Sequence, residues 1–356
     1  MVDKINILFK SYTFNGSLRN CTFKRKTKNC KVFYIESLKE GNEAKIWVIQ
    51  VLQKGRIYLA GSLRKWYHGE NSLEDFNKKS FVNALQKIAS ILDMSLSDLA
   101  LGTISNIEIG LNVRTRIACG DLLRKIVSYK SFHREDAYLE RGSLYFGFDK
   151  KEGKNSIRKI ILYDKTKEIA DRINTKCELA STNRKRNAFK ILQKHSYHFI
   201  RLEIKLRGRK AFKSIHLENV SNLYSIIEEW NNLYVAWTCH VAKILVSSQI
   251  DYSLPMTKKE RLIAESLKHE SAMSLIGKVE SICTSKTING LKAKKYRERK
   301  CIHDVILKFG TYADYNTYTF KADAALSLIR HCKKESPIAV GMLVRNLWKP
   351  TYTLLV

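Results

Sequence analysis

Apolar and polar residues alternate over Ile104–Val113, with Ile107, Ile109 and Leu111 on one side of an extended chain and Glu108, Gly110 and Asn112 on the other. Phe199–Leu206 is a second strand of this kind, with Arg201, Glu203 and Lys205 on a shared face. Short β-branched and aromatic runs predict strands at Ile5–Phe9, Lys31–Ile35, Lys45–Leu52 and Arg56–Ala60. Lys54-Gly55 predicts the hairpin turn between the last two. Leu144–Phe148 and Ile157–Leu162 predict a further hairpin around the polar turn Lys150–Asn155. Helical spacing of Phe81, Leu85, Ile88 and Leu92 predicts a helix over Lys79–Leu92. Cys119–Tyr129 predicts a second helix, and Lys165–Lys194 a basic helical stretch.

The pattern changes near residue 215. Val220, Leu223, Ile226, Ile227, Trp230, Leu233, Tyr234, Trp237, Val241 and Ile244 follow helical spacing, a stripe of packing residues. Ser247–Lys258, containing Pro255, reads as a linker to a smaller, mostly helical end. Together these elements predict an α+β protein. A largely antiparallel sheet with flanking helices spans 1–215, and a helical C-terminal region spans 216–356, a candidate for DNA binding.

Charge sharpens this picture. The chain has 356 residues with 64 Lys and Arg against 34 Asp and Glu, a net charge of +30. A field of that sign attracts polyanions, nucleic acid above all. No apolar run approaches the ~20 residues that cross a bilayer, and Met1–Phe9 lacks the pattern of a secretory leader. The expectation is a cytoplasmic protein with no membrane partner. The eight cysteines include no Cys-x-x-Cys pair, which argues against a zinc ribbon or a disulfide framework.

Three segments place polar groups inside apolar strands. Tyr163 and Lys165 follow the apolar run Ile157–Leu162 and share a face if the extension continues. With Glu108 and Glu203 on neighbouring strands, two carboxylates, a phenol and several cations would meet on one sheet surface. Carboxylate oxygens suit Mg²⁺ or Mn²⁺, which would polarise a phosphate, while Lys165 or Arg201 would offset charge on the phosphate or the tyrosinate. A free tyrosine, with a pKa of ~10, is about 0.1% ionised at pH 7, so activation demands roughly 4 kcal/mol or a proton acceptor. Each residue alone has a plainer reading. Tyr163 would pack at a strand end, Glu108 and Glu203 would face solvent or pair with cations, and Lys165 with Glu168 would form an i, i+3 pair at a helix start. No His-x-His strand occurs, so a metal would rest on the carboxylates.

Four blocks, in this order, resemble the filamentous-phage replication initiators of the gene II/gene X type and their plasmid relatives. Gly61-Ser-Leu-Arg-Lys65-Trp-Tyr-His-Gly69-Glu-Asn71 looks like the family's Ser-Pro-Ala-Lys…Gly-His-Asn block, although Leu63, Arg64 and Glu70 depart from it. Ile104–Val113 is similar to the acidic strand. Leu162-Tyr163-Asp-Lys165-Thr-Lys-Glu168 matches the Tyr-x-Lys…Glu block, and Arg201-Leu-Glu203-Ile-Lys205-Leu-Arg207 looks like the Arg-Phe-Glu strand. The resemblance implies a rolling-circle initiator that nicks one origin strand through Tyr163, leaving a 5′-phosphotyrosyl link and a free 3′-OH, and later rejoins the strand. Lys165 and Glu168 would complete the catalytic set, and Glu108 and Glu203 would hold the metal. Lys65, Asn71, Asn112, Arg201, Lys205 and Arg207 would meet DNA, supercoiled at the origin and then single-stranded. No Walker-type phosphate loop is present, so helicase and polymerase would come from a bacterial host.

Between Asn183 and Lys213 there are eleven Lys or Arg and one acid, with Phe189, Tyr197, Phe199 and Phe212 interleaved. Cations track phosphates and aromatic faces stack on unpaired bases, but a solvated helix face carries the same pattern. The basic run Lys286–Lys300 is a weaker candidate for contact with duplex DNA. A reading from a different class is a non-catalytic, basic DNA-binding replication regulator, in which Tyr163 does no chemistry.

Overall fold

The computed structural model describes residues 1–129, 133–135, 138–147, 157–178, 198–213, 217–311, 315–332 and 337–348. Its centre is a ten-stranded sheet in which every neighbouring pair is antiparallel. The first five strands are β1 (Val2–Lys10), β2 (Thr22–Lys26), β3 (Cys30–Glu36), β4 (Lys45–Val51) and β5 (Arg56–Ser62). Then come β6 (Thr103–Thr115), β7 (Ile126–Tyr129), β8 (His133–Glu135), β9 (Ser143–Gly147), β10 (Ile157–Asp164), β11 (His198–Arg207) and β12 (Ile244–Val246). The sheet runs β2-β3-β4-β5-β1-β6-β11-β10-β9-β8, and β7 pairs with β12 in a separate ribbon. The α+β class with helices toward the C-terminus is therefore as the alternation predicts. Gly55, at φ +51°, makes the β4–β5 turn, a conformation that costs glycine little.

The sheet has one packed face. Ile5, Ile7, Ile107, Ile109, Leu111, Leu202 and Ile204 are buried there beside Phe81, Leu85 and Ile88 of helix Lys78–Ile91. That helix begins in a capping box between Asn77 and Ser80. Residues of the opposite face are only partly covered: Asn6, Ala60, Glu108, Tyr145, Lys159 and Lys205 keep intermediate exposure, and Lys4 and Trp47 are exposed. β6 outruns β1, and the edge this leaves is closed by other groups. The backbone N–H groups of Gly110, Asn112, Arg114 and Arg116 donate to Met1 O (2.8 Å), Asp75 Oδ2 (2.9 Å), Ser327 Oγ (3.1 Å) and Asp323 Oδ2 (3.2 Å).

Four sequence expectations need correction. Cys119–Tyr129 is helical only to Lys125; its β-branched end becomes β7, because β12, over a hundred residues later, supplies the pairing. The stripe to Ile244 is two helices, Leu223–Glu228 and Trp230–Val241, followed by β12. Ser247–Lys258 is no free linker: Ile250 bridges to Gly310, and Tyr252 Oη donates to Ala264 O at 2.6 Å. The division at residue 215 is crossed by one core, in which the rings of Phe81 and Trp230 lie 5.1 Å apart and Trp237 Nε1 donates to Leu202 O at 3.3 Å. β2 escaped prediction because all five of its residues are exposed. The helix predicted over Lys165–Lys194 spans Lys165–Glu178; its remainder and the turn Lys150–Asn155 lie outside the described residues.

Helices Lys258–His269, Ala272–Ser281 and Ile288–Phe309 form a smaller cluster on the β7–β12 ribbon, through Val127, Leu245, Ile276 and Ile306. Among the described residues no helix is long and apolar enough to cross a membrane. Because Trp237 is fully buried between strand and helix layers, Trp237→Ala is expected to cost about 3–5 kcal/mol. Urea unfolding followed by far-UV dichroism and by fluorescence should show both signals moving together to a lower midpoint.

Candidate active site

Three cross-strand rows on the partly covered face set out the site. Tyr163 of β10 lies opposite Arg201 of β11, which lies opposite Asn112 of β6. The next row is Ile161, Glu203 and Gly110, and the third is Lys159, Lys205 and Glu108. Side chains of one row and of alternate rows share a face, so the strand pattern alone brings the predicted tyrosine, cations and carboxylates together. Tyr163, Glu203, Glu108 and Lys205 line a cleft of about 580 Å³, along with Asp3, Ser62 and Lys65.

Arg201 has no solvent exposure and holds the site's floor. Its Nε donates to Glu203 Oε1 at 2.8 Å, and its Nη1 reaches Asp75 Oδ1 at 2.5 Å and Asn112 Oδ1 at 3.1 Å. Its Nη2 pairs with Asp3 Oδ2 at 3.0 Å. Asp3 also takes Arg64 Nε at 3.1 Å and a hydrogen bond from Ser62 Oγ. Burial opposes ionisation of Asp75, yet the Arg201 guanidinium beside it holds its carboxyl down at about 2. Asp3 is likewise held well below the carboxylate range by Arg64 and Arg201, against burial. For Glu203 the balance reverses: burial, with repulsion from Asp3 and Glu108, raises its pKa despite Arg201.

Tyr163 Oη donates to Glu203 Oε1 at 3.0 Å. Burial and the Glu203 charge push this phenol well above 10. Lys165 does not continue the strand. Asp164 Oδ1 accepts from Lys167 N at 2.9 Å, so Asp164 starts the helix and Lys165 enters it, fully buried. The Lys165 ammonium is bonded to Glu168 and lies 5.9 Å from the Tyr163 ring centroid. Burial, with Arg64 and Arg201 nearby, lowers its pKa to about 7. Glu168 also pairs with Lys65 at 3.0 Å and with Arg172, and these cations overcome burial to hold it at about 2. The plain i, i+3 pairing of Lys165 and Glu168 is thus present, inside the site.

The other expected contacts divide by exposure. Lys65 and Lys205 line the cleft, with Lys205 paired to Glu108 at 3.0 Å. Arg201 is an internal framework residue rather than a surface contact. Asn112 is half-buried, its Nδ2 donating to Leu73 O at 2.7 Å. Asn71 is half-buried, and Arg207 is exposed at the far end of β11. Asp3, Ser62, Arg64 and Asp75 were missed, since no periodic pattern in their neighbourhoods marks them as site residues. Most of the basic aromatic stretch after Asn183 lies outside the described residues.

Among the described residues no group of three or more His, Cys, Asp or Glu is placed to hold a metal ion. Glu108 and Glu203 offer a two-carboxylate set; Lys205 engages Oε1 of the first, and Arg201 and Tyr163 engage Oε1 of the second. Compared with protein families, curated proteins and solved structures, this chain matches none.

Two outcomes test this geometry. A Cβ on Gly110 would lie 2.9 Å from Glu203 Cγ and 3.0 Å from Leu202 O. Gly110→Ala should therefore destabilise by about 1–3 kcal/mol in urea titration. Asp75→Asn leaves Arg201 short of a counter-charge and should cost about 3–5 kcal/mol at pH 7. Its folded pKa lies below its unfolded 3.8, so this stabilisation is present above that value and is lost as pH falls toward 2. The gap between wild type and variant should narrow across that window.

Proposed function

We propose that this chain is a metal-dependent, site-specific single-strand DNA endonuclease and strand transferase that initiates rolling-circle replication. The observation that carries the reading is the 3.0 Å hydrogen bond from Tyr163 Oη to Glu203 Oε1 in a cleft edged by Lys65 and Lys205. A second support is that the four blocks resembling the phage initiators, far apart in sequence, meet at this cleft through Lys65, Glu108, Tyr163 and Glu203.

In this mechanism Tyr163 Oη attacks the scissile phosphorus while its proton passes to Glu203 Oε1. A carboxylate of raised pKa is the stronger base. Because the phenol lies above 10, advance ionisation is costlier than for a free tyrosine, so proton transfer accompanies attack. The P–O3′ bond breaks, its electron pair stays on the 3′-oxygen, and that oxygen takes a proton from water. Attack by a 3′-OH on the phosphotyrosyl bond reverses these steps and rejoins the strand. Lys65 and Lys205 hold the strand's phosphates, and Arg201 keeps Glu203 aimed at the phenol.

Glu108 and Glu203 would hold Mg²⁺ or Mn²⁺, and the ion would polarise the phosphate. Origin DNA, with helicase and polymerase of a bacterial host, completes the setting in the cytoplasm.

The raised pKa of Tyr163 favours one competing reading, a non-catalytic DNA-binding regulator. Supercoiled DNA of the replicon, incubated with the protein and Mg²⁺, separates the two after SDS denaturation and peptide mapping. We expect open circles with nucleotide on Tyr163, no adduct from Tyr163→Phe despite normal DNA binding, and a fall of roughly 10²–10⁴-fold in nicking for Glu203→Gln. Salt-sensitive binding without nicking, with either metal, would favour the regulator.

A further inference from the structure

The cleft does not end at the chemistry. It continues along the partly covered face to β4, where Lys45 and Trp47 form its far wall, with Lys4 beside them. There Tyr34, Trp47, Ala60, Asn6 and Asn106 make one continuous cross-strand row over β3, β4, β5, β1 and β6. Trp47 is 37% exposed, high for so large an apolar side chain in the middle of a strand. Its ring meets Tyr34 edge-on, with centroids 5.7 Å apart and planes at 65°. Lys45 Nζ lies 4.0 Å over the Tyr34 ring. Tyr34 is thereby fixed between a cation and the indole, and it props Trp47 in a cleft whose neighbouring side chain, Ala60, leaves room for a flat group.

The electrostatics differ from those around Tyr163. There the acids are matched by Arg64, Arg201, Lys65 and Lys165. At this end, among the described residues, no ion pair holds Lys4 or Lys45, although Glu36 lies directly across the ladder from Lys45.

We propose that the Trp47 end of the cleft is a base-stacking subsite for single-stranded DNA, five strands across the sheet from Tyr163. An unpaired base stacks on the Trp47 indole, and Lys4 and Lys45 meet the adjoining phosphates. Duplex DNA keeps its base faces inside the stack and cannot use an aromatic wall in this way. The occupant rests on the nicking function proposed above, but the subsite requires only binding, so it can be tested apart from cleavage.

The test uses the full chain carrying Tyr163→Phe without added metal, so that no covalent capture contributes. Fluorescence anisotropy reads its affinity for a labelled single strand of about 12 nucleotides and for the matching duplex. Adding Trp47→Ala should weaken single-strand binding roughly 5- to 100-fold, the usual range for one lost stacking partner, and leave duplex binding unchanged. Trp47→Phe should restore most of the loss. Equal single-strand affinity with and without Trp47 would overturn the subsite, as would parallel losses on strand and duplex. Wild type that nicks DNA, with Trp47 indifferent, would sink the subsite alone. A Trp47 effect in a protein that never nicks would keep the subsite and discard the endonuclease.

Discussion

The guanidinium of Arg201 is the constraint on which the active face depends. It lies without solvent contact among Asp3, Asp75 and Glu203, which come from the first strand, a loop and the eleventh strand. Removing such charges from water is expensive, and only close pairing and hydrogen bonding offset the cost. Placing them together therefore requires those three segments to be correctly docked. The free edge of β6 depends on the same group of residues, since Asp75 caps the Asn112 N–H while its other oxygen holds Arg201.

That arrangement sorts carboxylates that are chemically alike. Asp3, which pairs with both Arg64 and Arg201, and Asp75, which pairs with Arg201, stay ionised in acid, whereas Glu203, repelled by Asp3 and Glu108, is left as the more basic group, and it is the one that meets the tyrosine. Lys165 and Glu168 show a parallel effect one turn into the following helix. Burial weakens the ammonium's hold on its proton, while three cations fix the Glu168 charge.

A sheet with one apolar face and one mixed face resolves two demands at once. The apolar face takes helices from both ends of the chain, so the C-terminal half contributes Trp230 and Trp237 to the core under the site. The mixed face stays accessible, and its alternation of cations, carboxylates and rings is displayed in the order of the strands.

Much of this was legible in the sequence where a period of two or 3.6 repeats locally. β6 and β11 announced themselves through Ile107, Ile109, Leu111, Leu202 and Ile204, and that alternation put Glu108 on one face of the first and Arg201, Glu203 and Lys205 on one face of the second; their pairing makes it one surface. The sequence also suggested Tyr163 as a partner of those groups, because an apolar run ends there. Tertiary structure decided what periodicity does not encode. Asp3, Arg64 and Asp75 carry no local pattern, and they are joined to the site by distant contacts, Arg64 with Asp3 and Asp75 with Arg201. Ile126–Tyr129 is a strand only because Ile244–Val246 reaches it. Lys165 leaves the strand because the Asp164 side chain caps a backbone N–H, a competition between helix start and sheet that local alternation cannot arbitrate. The chain's own pattern determined which residues share a face; long-range burial determined which of them keep their protons.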